Sequence, residues 1–319
     1  MTSQTPSIDV IIATRGRGAL IVPAIRTVLA SSRNSFTLWI VDQSRDHLTE
    51  QVAAACAEGD PRLRYLRLDS QGVSIARNAG AAACSGDYLL FTDDDCRISP
   101  DWMAEMAREL DSAENWAVFG RVLPDGESPA GVRPGGKPVS SAIKIALKDS
   151  AERRVYRGDR YNLGFGHGAS MGFRRERFEQ VGGFDDTLGA GGVFRSWPER
   201  DIGYRMLARG GQMVYTPRAL VYHRHWRDWD EVRRTYISYG IGAGAAAAKY
   251  ARCGDRGAWR FIAEWMADQG LRQMLSGALK WRSRQKFEIG LLQLIYPWAG
   301  LAGGLRHPID RRMCKYRVH

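Results

Sequence analysis

GVSIARNAGAAACSGDYLLFTDDDC, residues 72–96, decides the fold. Its first half, residues 74–84, is Ala-rich and reads as a helix, with Gly86 as the stop signal. Residues 88–91 are a short apolar run, as expected of a strand buried on both faces, and it leads straight into Asp93, Asp94 and Asp95. Working toward the N-terminus, the alternation continues. Residues 8–13 form an apolar strand, Ile25, Val28 and Leu29 have helical spacing, and residues 38–41 form a second strand ending in Asp42. Residues 49–58 read as a helix stopped by Gly59 and Pro61, and residues 62–68 alternate charged and apolar side chains as a third strand would. Such β-α alternation predicts an α/β fold with a doubly wound, mostly parallel sheet.

In sheets of this kind ligands bind beyond the carboxyl ends of the strands. Thr14-Arg15-Gly16-Arg17, Asp42 and the triple Asp all fall at such ends, so three polar clusters share one rim and predict a nucleotide site. Residues 124–138 are rich in Pro and Gly and read as a loop; residues 164–192 are Gly-rich, which fits tight turns or close approach to a ligand. Val214 and residues 221–222 read as short strands, and beyond Trp226 the pattern is helical to the end. The expected division is a domain over 1–225 and a basic, aromatic helical extension over 226–319.

The chain has 319 residues, 44% hydrophobic and 25% charged, a globular composition. Its five cysteines are scattered without a C-x-x-C pair, which predicts a reduced, cytosolic compartment and neither a zinc site nor a disulfide framework. The first residues have neither a basic start nor a long apolar run, so no secretory leader is expected. Of the net charge of +11, residues 251–319 hold +8, from 13 Lys/Arg against 5 Asp/Glu. A basic excess in a Trp-bearing tail fits an anionic membrane surface rather than nucleic acid, whose binders spread basic residues over the fold that reads the polymer. Residues 289–304 are an apolar run of 16 interrupted by Pro297, short for a spanning helix and flanked by Arg282, Arg284, Lys286 and Arg306. This predicts an interfacial patch or a docked helix.

Asp93, Asp94 and Asp95 carry the strongest chemical signal. In an extended segment Asp93 and Asp95 would share one face, and carboxylates so crowded call for a cation. Mg²⁺ and Mn²⁺ suit them, being bound by one or two carboxylates together with phosphate oxygens. His223 and His225 flank Arg224, and the same i, i+2 spacing offers an imidazole to complete the metal shell. Glu199 and Asp201 lie where Pro198 opens a helix. A carboxylate there either complements the helix dipole or removes a proton from an acceptor hydroxyl. Gly240-Ile241-Gly242-Ala243-Gly244-Ala245 formally fits a dinucleotide fingerprint, but no βαβ unit surrounds it, and small residues for close helix packing are the expected reason.

From about residue 8 to residue 225 the chain resembles the inverting family 2 glycosyltransferases, which have the GT-A fold. IDVIIATRGR is similar to the family's opening strand and nucleotide-binding turn, LWIVDQS to its second strand, GVSIARNAGAAACSGDYLLFTDDDC to the stretch leading into its D-x-D motif, GHGASMGFRRERFEQVGGFDDTLG to the wall beside the sugar and acceptor, ERDIGYRMLARGG to the helix of the catalytic base, and VYHRH to the late metal-ligand position. The resemblance implies transfer of a sugar from a nucleotide-sugar donor, UDP-sugar foremost, to a hydroxyl of a saccharide or lipid-linked saccharide. It implies inversion and an Mn²⁺ or Mg²⁺ cofactor. Thr14, Arg15, Asp42, Arg77, Asn78, Asp93 and Asp94 would line the donor site, and Asp95, His223 and His225 would hold the metal. Glu199, with Asp201 as the second candidate, would be the base. Two positions depart from the pattern: Ser170 stands where Asn is common, and Pro198-Glu199 replaces the usual Glu-Asp pair before the helix. The Q-x-x-R-W motif and the spanning helices of processive synthases do not occur, which predicts single-sugar addition. The resemblance implies a role in polysaccharide, glycolipid or cell-surface glycan synthesis, and with the basic tail the expected location is the cytoplasm, with peripheral attachment to the inner face of the membrane as the further option. The rival readings are a nucleotidyltransferase and a non-catalytic relative that binds nucleotide-sugar or carbohydrate.

Overall fold

Four parallel strands form one half of the sheet; the inner three are mostly apolar and covered on both faces, and the fourth, at the edge, alternates charged and apolar residues. They are β1 (Ile8–Thr14), β2 (Thr37–Asp42), β3 (Leu63–Arg67) and β4 (Tyr88–Asp93), in the order β3-β2-β1-β4. The crossovers run through α1 (Val22–Leu29), α2 (Leu48–Ala57) and α3 (Val73–Ala83). Register places Ala13 beside both Val41 and Asp93, and Thr14 beside Asp42, so the polar strand ends meet on one rim as the sequence predicts. On one face Val10, Ile12, Leu38, Ile40 and Leu90 join a single buried apolar cluster. On the other, α3 approaches at Gly80, where a Cβ would come within 2.7 Å of Ile11 and 2.9 Å of Val41. The coordinates are a computed structural model, and it describes residues 6–126, 136–140, 143, 145, 147–224 and 227–317. Most of the predicted loop over 124–138 lies outside the described residues.

Beyond β4 come β5 (Cys96–Ile98), α4 (Trp102–Leu110), β6 (Asn115–Pro124), β7 (Arg154–Tyr156), β8 (Ser170–Arg174), α5 (Arg175–Gln180), α6 (Pro198–Ala208) and β9 (Gln212–His223). They complete a mixed sheet, β3-β2-β1-β4-β8-β6-β9-β5, with β7 also on β9. β8 is antiparallel to β4 and β6, whereas β6 and β9 are parallel. Phe91, Phe173, Phe178 and Phe184 interlock with centroids 5.3–5.9 Å apart, mostly edge to face, which ties β4, β8 and α5 together. The two short strands expected near Val214 and Val221 are one strand of 12 residues. Pro217 falls in its bulge: the register on β6 jumps from Gly120↔Thr216 to Arg121↔Leu220, and Pro, which has no N–H to donate, is tolerated at such a break.

The chain divides into two compact units. The first holds this sheet; the second takes residues 128–145, 185–201 and 225–319. Its long final stretch starts at 225, and the unit also includes 185–201, whose Asp185 and Asp201 are both ion-paired to Lys249. This unit contains α7 (Trp229–Arg252), α8 (Gly257–Trp265), a π-wound stretch (Met266–Arg272), α9 (Gln273–Leu275), a second π-wound stretch (Ser276–Lys280), α10 (Arg284–Arg306), β10 (Ile309–Asp310) and β11 (Lys315–Tyr316). The final hairpin, β10 with β11, departs from the prediction of helix to the end. Asp228 caps α7 in a box with Glu231, accepting from the Glu231 N–H at 2.9 Å.

The glycines of α7 serve packing. A Cβ on Gly244 would run into the Pro297 carbonyl oxygen of α10, and one on Gly300 into the Ile241 carbonyl oxygen. The two helices therefore touch backbone to backbone. Gly244→Ala should cost about 1–3 kcal/mol, as overpacking does, read as a lower urea midpoint at unchanged slope.

Candidate active site

The site on the first unit is built at the carboxyl ends of β1, β2 and β4. The triple Asp does not continue as an extended segment. Asp93 ends β4, Asp94 and Asp95 form a turn, and Cys96 starts β5, so the expected shared face of Asp93 and Asp95 is replaced by three separate partnerships. Asp93 accepts from Arg77 Nη2 at 2.7 Å. Asp94 accepts from Thr14 Oγ1 at 2.7 Å and lies 3.4 Å from Arg17 Nε. Asp95 lies 3.4 Å from His223 Nε2 and 3.7 Å from Arg17 Nη2. Burial and the adjacent Asp95 carboxylate push Asp94 up to about 7, against the pull of Arg17 and Thr14.

His223 arrives by strand register, since β9 is antiparallel to β5 with Cys96 opposite His223. The Arg224 N–H donates to the Asp95 carbonyl at 3.0 Å and fixes the turn. Asp95, Cys96 and His223 offer ligand atoms that all lie within 4.8 Å of one another. Full burial pushes the Cys96 thiol well above its ordinary pKa, and the Asp95 charge adds to this, so it stays protonated. The remaining carboxylate and imidazole suit Mn²⁺, and the carboxylate suits Mg²⁺. His225 lies outside the described residues.

The other predicted donor residues divide by what their side chains already hold. Arg15 is exposed on the rim, next to Gly16, whose φ of 62° and N–H bond to Ser44 Oγ at 2.7 Å shape the turn. Asp42 is fully buried; its oxygens accept from the Ser44 N–H at 2.8 Å and from the Tyr65 hydroxyl at 2.7 Å, fixing the loop after β2. Asn78 bonds the backbone of Phe184 in both directions, at 2.9 Å each. Ser170 is buried and accepts from Trp102 Nε1 at 2.9 Å. Arg17 belongs to the site but was not singled out from sequence; its place in the polar turn after β1 was the available signal.

On the second unit, Glu199 sits in the first turn of α6, partly exposed, and has no hydrogen-bond or ion-pair partner among the described residues. Asp201 is the opposite case: fully buried, 2.6 Å from Lys249 Nζ and 3.2 Å from the Tyr250 hydroxyl. The residues before α6 are strained. Arg195 and Trp197 have φ of 63° and 78°, left-handed values unfavourable for any side chain and most of all for a bulky one. Packing holds Trp197 there: Nε1 donates to the Tyr239 carbonyl at 3.1 Å, and the ring meets Phe261 and Trp265 edge on at 5.6 and 5.1 Å. These contacts hold the strained backbone at the foot of the helix that carries Glu199.

Residues 9–182 match glycosyl transferase family 2, more than half of the chain, and the protein belongs to that family. Its fold is shared with a mannosyltransferase from Pyrobaculum calidifontis in complex with GDP-Man and Mn²⁺, with a TM-score of 0.61 over 95% of this chain and 88% of the other at 18% identity. Among curated relatives, a pre-mycofactocin glycosyltransferase of Mycobacterium tuberculosis is 27% identical over 57% of this chain and 36% of its own length. A glucosyl-dolichyl phosphate glucuronosyltransferase of Haloferax volcanii is 24% identical over 67% of this chain and 69% of its own. The chain thus spans about a third of the first relative and about two thirds of the second. The α/β fold expected from residues 72–96 and the family resemblance are both borne out. No helix among the described residues is long and apolar enough to cross a membrane.

Proposed function

We propose that the protein transfers a single sugar, with inversion, from a nucleotide-sugar donor to an acceptor hydroxyl. The observation that carries this reading is the pair Asp95 and His223, a carboxylate and an imidazole 3.4 Å apart at the strand ends of a family 2 fold. These residues would hold Mn²⁺ or Mg²⁺, which when bound supplies Lewis-acid neutralisation of the departing diphosphate. His225 is the further candidate ligand. Thr14 and Arg17 hold the acidic turn in position, Arg77 orients Asp93 toward the nucleotide, and Arg15 presents a cation on the rim. Asp42 and Asn78 act through the loops they brace.

Glu199 is the proposed base, because its carboxylate is free to accept a proton, whereas Asp201 is committed to Lys249. The donor is proposed to be a UDP-sugar and the acceptor a lipid-linked saccharide, by analogy with the dolichyl-phosphate substrate in the name of the Haloferax relative.

The test is release of nucleoside diphosphate from UDP-, GDP- and dTDP-sugars with and without Mn²⁺ or Mg²⁺. Metal-dependent release from one donor is expected, reduced about 100-fold or more in Asp95→Ala and in His223→Ala, since a metal supplies several kcal/mol. Pyrophosphate release instead would identify a nucleotidyltransferase, and donor binding without turnover in the presence of acceptor would identify a binding relative. Products longer by more than one sugar would refute single addition.

A further inference from the structure

Within the second unit, ahead of the final β-hairpin, two helical arms form a hairpin. Its first arm runs through Met266–Arg272, α9 and Ser276–Lys280, and its second arm is α10. The arms are antiparallel and close-packed, because a Cβ on Gly270 would strike Leu294, one on Gly290 would strike Met274, and one on Gly277 would strike Phe287. In two antiparallel right-handed helices, the residue that follows a contact residue turns to the same side of the pair on both arms. Leu271 and Leu275 follow Gly270 and Met274; Leu291 and Ile295 follow Gly290 and Leu294. These four are 45%, 48%, 39% and 52% exposed, so one side of the hairpin presents an apolar strip of two facing rows.

At the turn between the arms the charge is of one sign. Lys280, Arg282, Arg284 and Lys286 have no ion-pair partner among the described residues, and Glu288, the next acidic residue, is taken by Arg233 at 2.6 Å. The ammonium groups of Lys280 and Lys286 stand over the same half-exposed Trp281 ring, at 5.9 and 4.8 Å. Burial and the Lys280 charge lower the Lys286 pKa, a sign of crowded cations.

We infer that this hairpin docks on an anionic phospholipid bilayer, with the leucine and isoleucine rows in the acyl boundary and the cationic turn among lipid phosphates. An apolar strip beside clustered Lys and Arg, with a Trp between, matches the two components of interfacial binding. A bilayer uses both features, whereas a second copy on the strip would use only the apolar rows. This inference goes beyond the transferase reading and does not depend on it.

The experiment is flotation of the full-length protein with vesicles of phosphatidylcholine alone or of phosphatidylcholine and phosphatidylglycerol in equal parts. Binding is expected only with the anionic lipid and is expected to weaken with added salt. Replacing Lys280, Arg282, Arg284 and Lys286 together by Gln should weaken it about tenfold or more. Leu271→Ser with Leu275→Ser, at exposed positions that leave the fold intact, should also weaken it. No binding, equal binding to neutral vesicles, or unchanged binding in the Gln variant would overturn the inference. Concentration-dependent self-association without vesicle binding, abolished by the Ser pair, would assign the strip to a second copy and also overturn it.

Discussion

Glu199→Gln lowers turnover by ~10²–10⁴-fold, the range a general base contributes, while leaving the protein folded and able to bind donor. The amide keeps the size and hydrogen-bonding reach of the carboxylate but cannot take the acceptor proton. Because Glu199 is partly exposed and has no partner among the described residues, its charge contributes to the fold only through the helix dipole, about 0.3–1 kcal/mol. The measurement is single-turnover transfer with the cognate donor and metal, beside a urea titration. Full activity in Glu199→Gln would remove Glu199 as the base. Asp201→Asn provides the contrast: it should lower the urea midpoint first, since Asp201 is fully buried against Lys249.

Lys249→Met destabilises the protein by about 3–5 kcal/mol, because removing one partner of a buried ion pair leaves its counterpart charged and uncompensated. Here the loss is double. Lys249 Nζ is fully buried, 2.5 Å from Asp185 and 2.6 Å from Asp201, and Asp185 also accepts from the Tyr316 N–H at 2.8 Å and from Thr187. Burial alone would raise the Asp185 pKa; the Lys249 charge and these hydrogen bonds outweigh it and bring it down to about 2. A carboxylate so depressed contributes stability that is complete above its unfolded value of about 3.9 and is lost as pH falls through 2. In Lys249→Met the sign reverses: without the Lys249 charge, burial makes the Asp185 carboxylate bind a proton more tightly when folded, so acidification from neutral pH restores stability. Urea midpoints of both proteins between pH 7 and pH 3 test this. A variant that loses stability in parallel with wild type would show that Lys249 does not hold the two carboxylates.

The first hundred residues could be read from sequence because local pattern and tertiary role coincide there. The strands buried on both faces, β1, β2 and β4, are mostly apolar, and the polar residues that stop them, Thr14, Asp42 and Asp93, become the rim of the site by register alone. The sequence by itself also marked the family, through motifs in order, and the uneven charge that leaves the last 69 residues basic. What it could not determine was which carboxylate does what. Asp93, Asp94 and Asp95 are chemically identical and adjacent, yet a turn after Asp93 sends them to Arg77, Thr14 and His223 respectively. Glu199 and Asp201 lie two residues apart on one helix, and only the arrival of Lys249, 48 residues beyond Asp201 in a stretch whose small residues signal helix packing but not a buried charge, commits Asp201 to the core and leaves Glu199 free. Period and propensity are local properties of the chain; the partner of a charged group is set by contacts between distant segments, so only the tertiary structure assigns it.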